Sequence, residues 1–277
     1  MERDPIYIVK ADGSRELFDI SKLEHSLKRA GADSKVTEGI VNELSDTLID
    51  GSTTYDIYHQ AFELLHSKDR PVALKYSLKR AIMEFGPSGF PFEKYVAEIF
   101  KYRGFETLTG QMVKGFCVEH EIDMIAWNDE KLIMAEAKFH NQLGIKSDLK
   151  VALYVKARFE DLSKVEFEFY GKKRKLDEGW LITNTKFSKT AIEYGRCQGL
   201  KMVGWNYPSD GSLHDMIIEE KLHPLTCLTT LSGQAKKELL DRGVVLCKTI
   251  LQNPVLLEEA KLLEEEKLAV ENEIKGL

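Results

Sequence analysis

The chain is poor in cysteine, with four among 277 residues. Cys117, Cys197, Cys227 and Cys247 lie far apart in sequence, and no two form a CxxC pair. That argues against a zinc site and fits buried or neutral thiols in a reducing cytosol. No apolar run approaches the roughly 20 residues that cross a bilayer, so no membrane partner is expected. The opening segment, MERDPIYIVKADG, is mixed in charge and has no apolar stretch of the kind a signal peptide carries. A cytoplasmic location is the expectation that follows. An excess of positive charge is also missing. The net charge of −6 excludes a protein that grips nucleic acid with its whole surface and confines any such contact to a local patch. There is no internal repeat and no low-complexity tract apart from a Glu-rich tail.

What is present is ordinary globular composition, 43% hydrophobic, in a chain long enough for two or three domains. Residues 6–9 and 15–18 read as two short strands about the turn Ala11-Asp12-Gly13-Ser14. Helices are expected from Asp19 or Ser21 to about 30, over 37–49, from a start at Thr53-Thr54-Tyr55-Asp56 to about 67, and with Pro71 in the first turn of a fourth ending near 85. Two Gly and two Pro in the six residues 86–91 mark a linker. Beyond it the pattern predicts a helix over 91–103, strands over 105–109 and 114–118, and a hairpin over 122–139. A helix over 149–157, strands over 165–170 and 179–184, a helix to about 197 and a strand over 201–205 follow. Strands alternating with helices indicate an α/β or α+β layer structure. From about Pro224 the pattern is helical. Residues 225–251 look like a helix-hairpin-helix with Gly243 in its second turn. A long helix is expected after Pro254, where Leu256, Leu263, Val270 and Leu277 recur every seven residues. That stripe suits packing on the body or a short dimer seam.

The hairpin, IDMIAWNDEKLIMAEAKF, carries the chemistry. Side chains alternate along a strand, so Glu136 and Lys138 share a face. Folding about Asn128-Asp129-Glu130 brings Asp123 roughly opposite Glu136. Both strands are otherwise apolar, and a buried charge is costly unless it is paired or binds a metal. Two carboxylates beside one lysine point to a hard divalent cation with an ammonium next to it. The plain alternative is a structural ion pair of Lys138 with Glu136 or Asp123. Nearby, His140 could serve as a proton carrier or phosphate contact or be a polar loop residue, and Lys156 or Arg158 could meet a phosphate or be solvated helix charges. His120 reads as an exposed loop histidine. Gly171-Lys172-Lys173-Arg174-Lys175 is the densest basic cluster, either a phosphate contact or a solvated turn. Thr183, Asn184 and Lys186 sit at a strand end, where α/β sites gather. Trp180 and Trp205 read as core.

Residues 89–205 resemble the PD-(D/E)xK nuclease superfamily, in particular its Mrr-like and Holliday-junction-resolvase branches. The helix opening Phe92-Glu93-Lys94-Tyr95-Val96 and ending at Gly104-Phe105, then Asp123, then Glu136-Ala137-Lys138, carry the likeness. The resemblance implies an endodeoxyribonuclease with Glu93, Asp123, Glu136 and Lys138 as catalytic residues. Asp123, Glu136 and the Ala137 carbonyl would hold Mg²⁺ or Mn²⁺, and DNA would be the substrate. Such an ion acidifies water and offsets phosphate charge, while Lys138 would orient the attacking water.

Residues 6–85 resemble the ATP-cone, a nucleotide-sensing module. The pattern is Val9-Lys10-x-Asp12-Gly13, Arg15-Glu16-x-Phe18, Lys22-Leu23, then Thr54-x-Asp56-Ile57 and Ala73-x-x-Tyr76. A glycine hairpin exposes backbone N–H groups, and Lys10, Arg15 and Lys22 add positive charge suited to a triphosphate. Where the family has Tyr-x-x-Tyr-Arg, this chain has Tyr76-Ser77-Leu78-Lys79-Arg80, a departure at the adenine contacts. The resemblances together imply a multi-domain α/β chain. A small α+β cone (1–86) would precede a restriction-endonuclease-like α/β core with a mixed sheet (89–222) and a helical C-terminal region (223–277). ATP or dATP on the cone would regulate cutting, in restriction, phage defence or repair, and a homo-oligomer is expected. The alternatives are an inactive nuclease fold acting as a nucleotide-controlled DNA-binding regulator, or a module that only assembles.

Overall fold

The computed structural model describes residues 5–169 and 171–277. Residues 1–4, with which the expected first domain begins, and Tyr170, the end of the expected strand 165–170, lie outside the described residues.

The N-terminal part opens with β1 (Tyr7–Val9) paired antiparallel to β2 (Arg15–Leu17). Gly13 takes the turn between them at φ +79°, a left-handed conformation that only glycine adopts without strain. Four helices follow, each started by a side chain that satisfies an otherwise orphaned N–H. Asp19 caps α1 (Ile20–Arg29) and Asp33 caps α2 (Ser34–Thr47). A Thr53/Asp56 capping box starts α3 (Thr54–Lys68), and Asp69 caps α4 (Arg70–Met83) with Pro71 in its first turn. The apolar faces of these helices enclose Leu27, Ile40, Leu44, Ala61 and Leu65. α4 belongs to two cores. Val72 and Ala73 pack in this first one, while Leu78, Ala81 and Ile82, with Phe85 just past the helix, pack into the next.

After the turn at 86–89 comes α5 (Phe90–Tyr102), then β3 (Glu106–Lys114), β4 (Glu119–Trp127) and β5 (Leu132–Lys138). The strand expected over 105–109 continues through Gly110, at φ +61°, to Lys114, while the segment 115–118 of the expected strand 114–118 is the turn before β4, closed by the Gly115 N–H on the Val118 carbonyl. β6 (Lys146–Ser147), α6 (Leu149–Leu162) and the hairpin of β7 (Phe167–Phe169) with β8 (Lys172–Arg174) lead to β9 (Glu178–Thr183). β10 (Lys186–Phe187), α7 (Lys189–Cys197), β11 (Lys201–Val203) and α8 (Leu213–Glu219) complete this part.

The main sheet has the order β11-β9-β5-β4-β3. β3, β4 and β5 run antiparallel, while β5, β9 and β11 run parallel. Alternation then assigns each side chain to one layer. Met124, Ala126, Ile133, Ala135 and Ile182 meet Phe92, Tyr95, Val96 and Ile99 of α5 on one face. Ile125, Trp127, Met134 and Leu181 meet Ala152, Val155, Phe159 and Leu162 of α6 on the other. A mixed sheet between helical layers, in a multi-domain α/β chain, is the observed fold class.

The C-terminal part is helical: α9 (Gly233–Asp241), α10 (Cys247–Gln252), α11 (Val255–Glu259) and α12 (Glu264–Lys275). The expected long final helix is broken. Lys261 turns the chain at φ +60°, and Glu266 takes the Leu263 N–H to begin α12 afresh. Leu263 is 71% exposed while Val270 is wholly buried, so the seven-residue stripe is not one seam. The break lets Leu257 of α11 and Val270 and Ile274 of α12 enter the main core separately. Cys227 and Cys247, distant in sequence, meet as buried free thiols with sulfurs 3.9 Å apart.

Candidate functional site

β4 and β5 pair from Trp127↔Leu132 to Met124↔Ala135, and there the paired register ends. The next residue on β4 is Asp123. Its carboxylate, instead of a backbone carbonyl, accepts the Ala137 N–H at 2.8 Å. Glu136 and Lys138 follow on β5, alternating with Ala135 and Ala137 of the α5 core, and so face α6 together with Asp123. Lys138 lies in register with Thr183 of the adjacent parallel strand and forms no ion pair with a described residue. Neither structural ion pair considered for it, with Glu136 or with Asp123, is present.

Glu136 is instead held from α6. Arg158 pairs with one carboxylate oxygen and the Tyr154 hydroxyl donates to the other. Tyr154 and Arg158 are four residues apart, one helical turn, which sets both on the same face. That spacing was the available signal, although it does not name their target. Burial and then the bond to Glu136 push the Tyr154 hydroxyl well above its usual range.

Glu93 enters from the first turn of α5. Burial raises its pKa to about 7, with the charges of Asp123, Glu121 and Glu136 adding to the rise. Burial and then the charge of Glu136 raise Asp123 to about 6, against the Ala137 bond. These carboxylates are near enough to feel one another, which is the electrostatic setting that a bound cation relieves. Among the described residues, however, no three His, Cys, Asp or Glu side chains stand close enough to share one ion. The donor set does not fit an all-protein metal cage.

The flanking residues are used differently from expectation. His140 Nε2 lies 3.0 Å from the Ser147 hydroxyl, and its backbone is clamped at both N–H and C=O by the Asn184 amide. Burial lowers its pKa. His120 is no free loop residue. It lies on β4 with Nε2 2.8 Å from Asp161, whose side chain also takes the Cys117 and Val118 N–H groups. The basic cluster forms β8, and two of its charges are spent on the turn between β4 and β5. Lys172 pairs with Asp129 at 2.6 Å, and Arg174 donates to the Asn128 carbonyl. Trp205 is buried, and Trp180 packs edge-on against Phe100.

A cavity of about 610 Å³ lies between the N-terminal part and the sheet domain. Lys10 and Lys22 line it, as do Lys75, Lys79 and Arg80 of α4. Arg15 does not; its guanidinium reaches outward to Asp50 at 2.8 Å and over the Tyr7 ring. Lys10 and Lys22 are partly neutralised by Glu16. Arg80 stacks over Tyr55 and Tyr58, 4.1 and 4.8 Å from the ring centroids, and Tyr58 stacks on Tyr76. Burial, with the neighbouring charge of Lys186, lowers Lys79 to about 8. Cations beside an aromatic shelf suit a phosphorylated base. Among the described residues no helix is long and apolar enough to cross a membrane.

Comparison with known proteins agrees with part of this. Residues 6–84 match the ATP cone domain, so the chain carries that nucleotide-associated module at its N-terminus. Residues 223–277 match the C-terminal domain described as AF1548-like. An uncharacterized protein of Archaeoglobus fulgidus is 36% identical over 156 residues, covering 56% of this chain and 83% of its own. The crystal structure of AF1548, a protein of unknown function, is 34% identical with a TM-score of 0.55, covering 68% of this chain and 97% of that one. The MspJI restriction endonuclease in complex with a 27-mer oligonucleotide aligns with a TM-score of 0.32 at 14% identity, over 48% of this chain and 29% of that chain, too slight a likeness to carry an argument. By its extended identity to these relatives, the chain belongs to the AF1548-like family.

Proposed function

We propose that this protein is a metal-dependent DNA endonuclease of the PD-(D/E)xK type, controlled by ATP or dATP on its cone. The observation that carries the reading is the meeting of Asp123, Glu136 and Lys138 on one face where β4 parts from β5, with Glu93 close enough to share their field. Asp123 and Glu136 would hold Mg²⁺ or Mn²⁺, with the Ala137 carbonyl and water. When bound, such an ion supplies an acidified water and neutralises phosphate oxygens. Lys138, without a carboxylate partner among the described residues, orients the attacking water or offsets charge growing on the phosphate. Glu93, with a pKa of about 7, accepts a proton at neutral pH or ligates through water.

A second reading has its own support. Arg158 and Tyr154 occupy both oxygens of Glu136. A carboxylate sealed in this way fits a nuclease fold that binds DNA under nucleotide control without cutting it.

Supercoiled plasmid separates the two. Wild type, Asp123→Ala and Lys138→Ala are incubated with Mg²⁺ or Mn²⁺, with and without ATP or dATP. Nicking by wild type that both variants lose supports the nuclease. Equal cutting by all three proteins refutes the assigned site, and retention of DNA with no cutting at all favours the regulator.

A further inference from the structure

The cavity beside the cone has a second wall that the cone does not supply. Leu143, Gly144, Lys186, Trp205, Asn206 and His214 of the sheet domain close it. Arg29 of α1 locks the walls together, donating to Asn206 at 2.6 Å and pairing with Asp215 at 3.1 Å. Lys75, Lys79 and Arg80 on one side and Lys186 on the other have no carboxylate partner among the described residues. Asp12 is the one acidic lining residue among them, and its Oδ1 is already taken by the Ser14 N–H and hydroxyl. Like charges kept together without counter-charge repel one another, and a polyanion relieves that repulsion.

The core wall also leads directly to the candidate site. The segment 139–145 leaves β5 just after Lys138 and ends at β6, whose Lys146 pairs with Lys186 of β10. Near its end, Gly144 lies against the cone hairpin. A Cβ placed on it would stand 3.7 Å from the Asp12 nitrogen and 3.8 Å from the Ala11 Cβ. Asn184, two residues before Lys186, clamps His140, two residues after Lys138.

We infer that a nucleoside triphosphate is held between the cone and the sheet domain, with Lys186 binding its phosphates, and that the segment 139–145 forms the contact between this ligand and the residues after Lys138. The inference rests on reading the cone as a nucleotide site. It adds a ligand-binding residue from outside the cone and a route by which occupancy reaches the sheet. Differential affinity between two arrangements of that segment is what control of the site requires.

The test uses the full chain and ATP. Affinity is measured by calorimetry for wild type, Lys22→Ala on the cone side, Lys186→Ala on the core side, and Lys189→Ala, whose ammonium faces Glu193 at 3.8 Å. Loss of one charge-assisted contact weakens binding roughly tenfold or more. That loss is expected for Lys186→Ala, with recovery in Lys186→Arg and no change in Lys189→Ala. Lys186 is exposed, so the variant folds, which a thermal melt verifies. ATP is also expected to slow amide hydrogen exchange in residues 139–145 of wild type. Lys186→Ala binding as wild type does, Lys189→Ala weakening equally, or no slowing in 139–145 overturns the inference. If Lys22→Ala still loses affinity in those cases, the cone reading stands alone. Failure of wild type to bind ATP ends both.

Discussion

Arg158 of α6 reaches across the layer to pair with Glu136 of β5, and so supplies the positive charge that the flanking Lys138 does not. A nearly buried carboxylate left without its cation is strongly destabilising. Arg158→Ala is expected to lower unfolding free energy by about 3 kcal/mol in metal-free buffer, read from urea midpoints. If Asp123 and Glu136 hold a divalent ion, Mg²⁺ should recover more stability in this variant than in wild type. Equal metal response in the two proteins would count against a cation at Glu136.

Glu93 and Asp123 both have folded-state pKa values raised above the ordinary carboxylate range, to about 7 and about 6, by burial first and by neighbouring carboxylates second. A raised carboxylate pKa means that the folded state binds the extra proton. The stability these groups contribute is therefore full below the unfolded pKa and is lost as pH rises through the folded values. Glu93→Gln should flatten the stability–pH profile between about pH 5 and 8. A denaturation series across that window gives the slope, and an unaltered slope would show that Glu93 titrates normally.

Gly179 on β9 is crossed at close range by Phe159 of α6, and a Cβ added there would fall into the ring. Overpacking of this kind costs about 1–3 kcal/mol. Gly179→Ala should lower the thermal midpoint without altering the far-ultraviolet dichroism of the folded state. The double variant with Phe159→Leu should regain part of the loss, because the obstruction is the ring.

Glu273 of α12 receives the N–H and hydroxyl groups of both Thr229 and Thr230 and pairs with Arg70 at the start of α4 at 3.1 Å. Burial pushes its pKa up, but these bonds outweigh that and hold it below the usual value. Glu273→Ala strands the Thr229 and Thr230 backbone donors, at a cost of roughly 3 kcal/mol. Chemical denaturation should register the loss, and limited proteolysis should reach residues 228–277 first.

The sequence made some features readable because they are local. The N-terminal caps, Asp19 and the Thr53/Asp56 box, announce their helices within four residues. The period-two pattern of the hairpin fixes Asp123 opposite Glu136 through the neighbouring Met124↔Ala135 pair. Other features depend on residues that meet only after folding. Arg158 and Glu136 are 22 positions apart on different layers, and nothing in either segment names the other. Asp161, which draws His120 out of the expected loop role, is 41 positions away. The core wall of the cavity was unreadable for the same reason. The run through Gly110 was likewise settled only by the partner strand, which keeps Thr109 and Gln111 paired on either side of it.

α4 is rooted in both the cone and the sheet domain, and this bears on how the molecule can be divided. Cutting at the visible Gly86-Pro87 break would strip Leu78, Ala81, Ile82 and Phe85 from the larger fragment and leave its apolar floor open to water. A piece made that way is expected to stick to itself, and its behaviour would report the wound and not the domain.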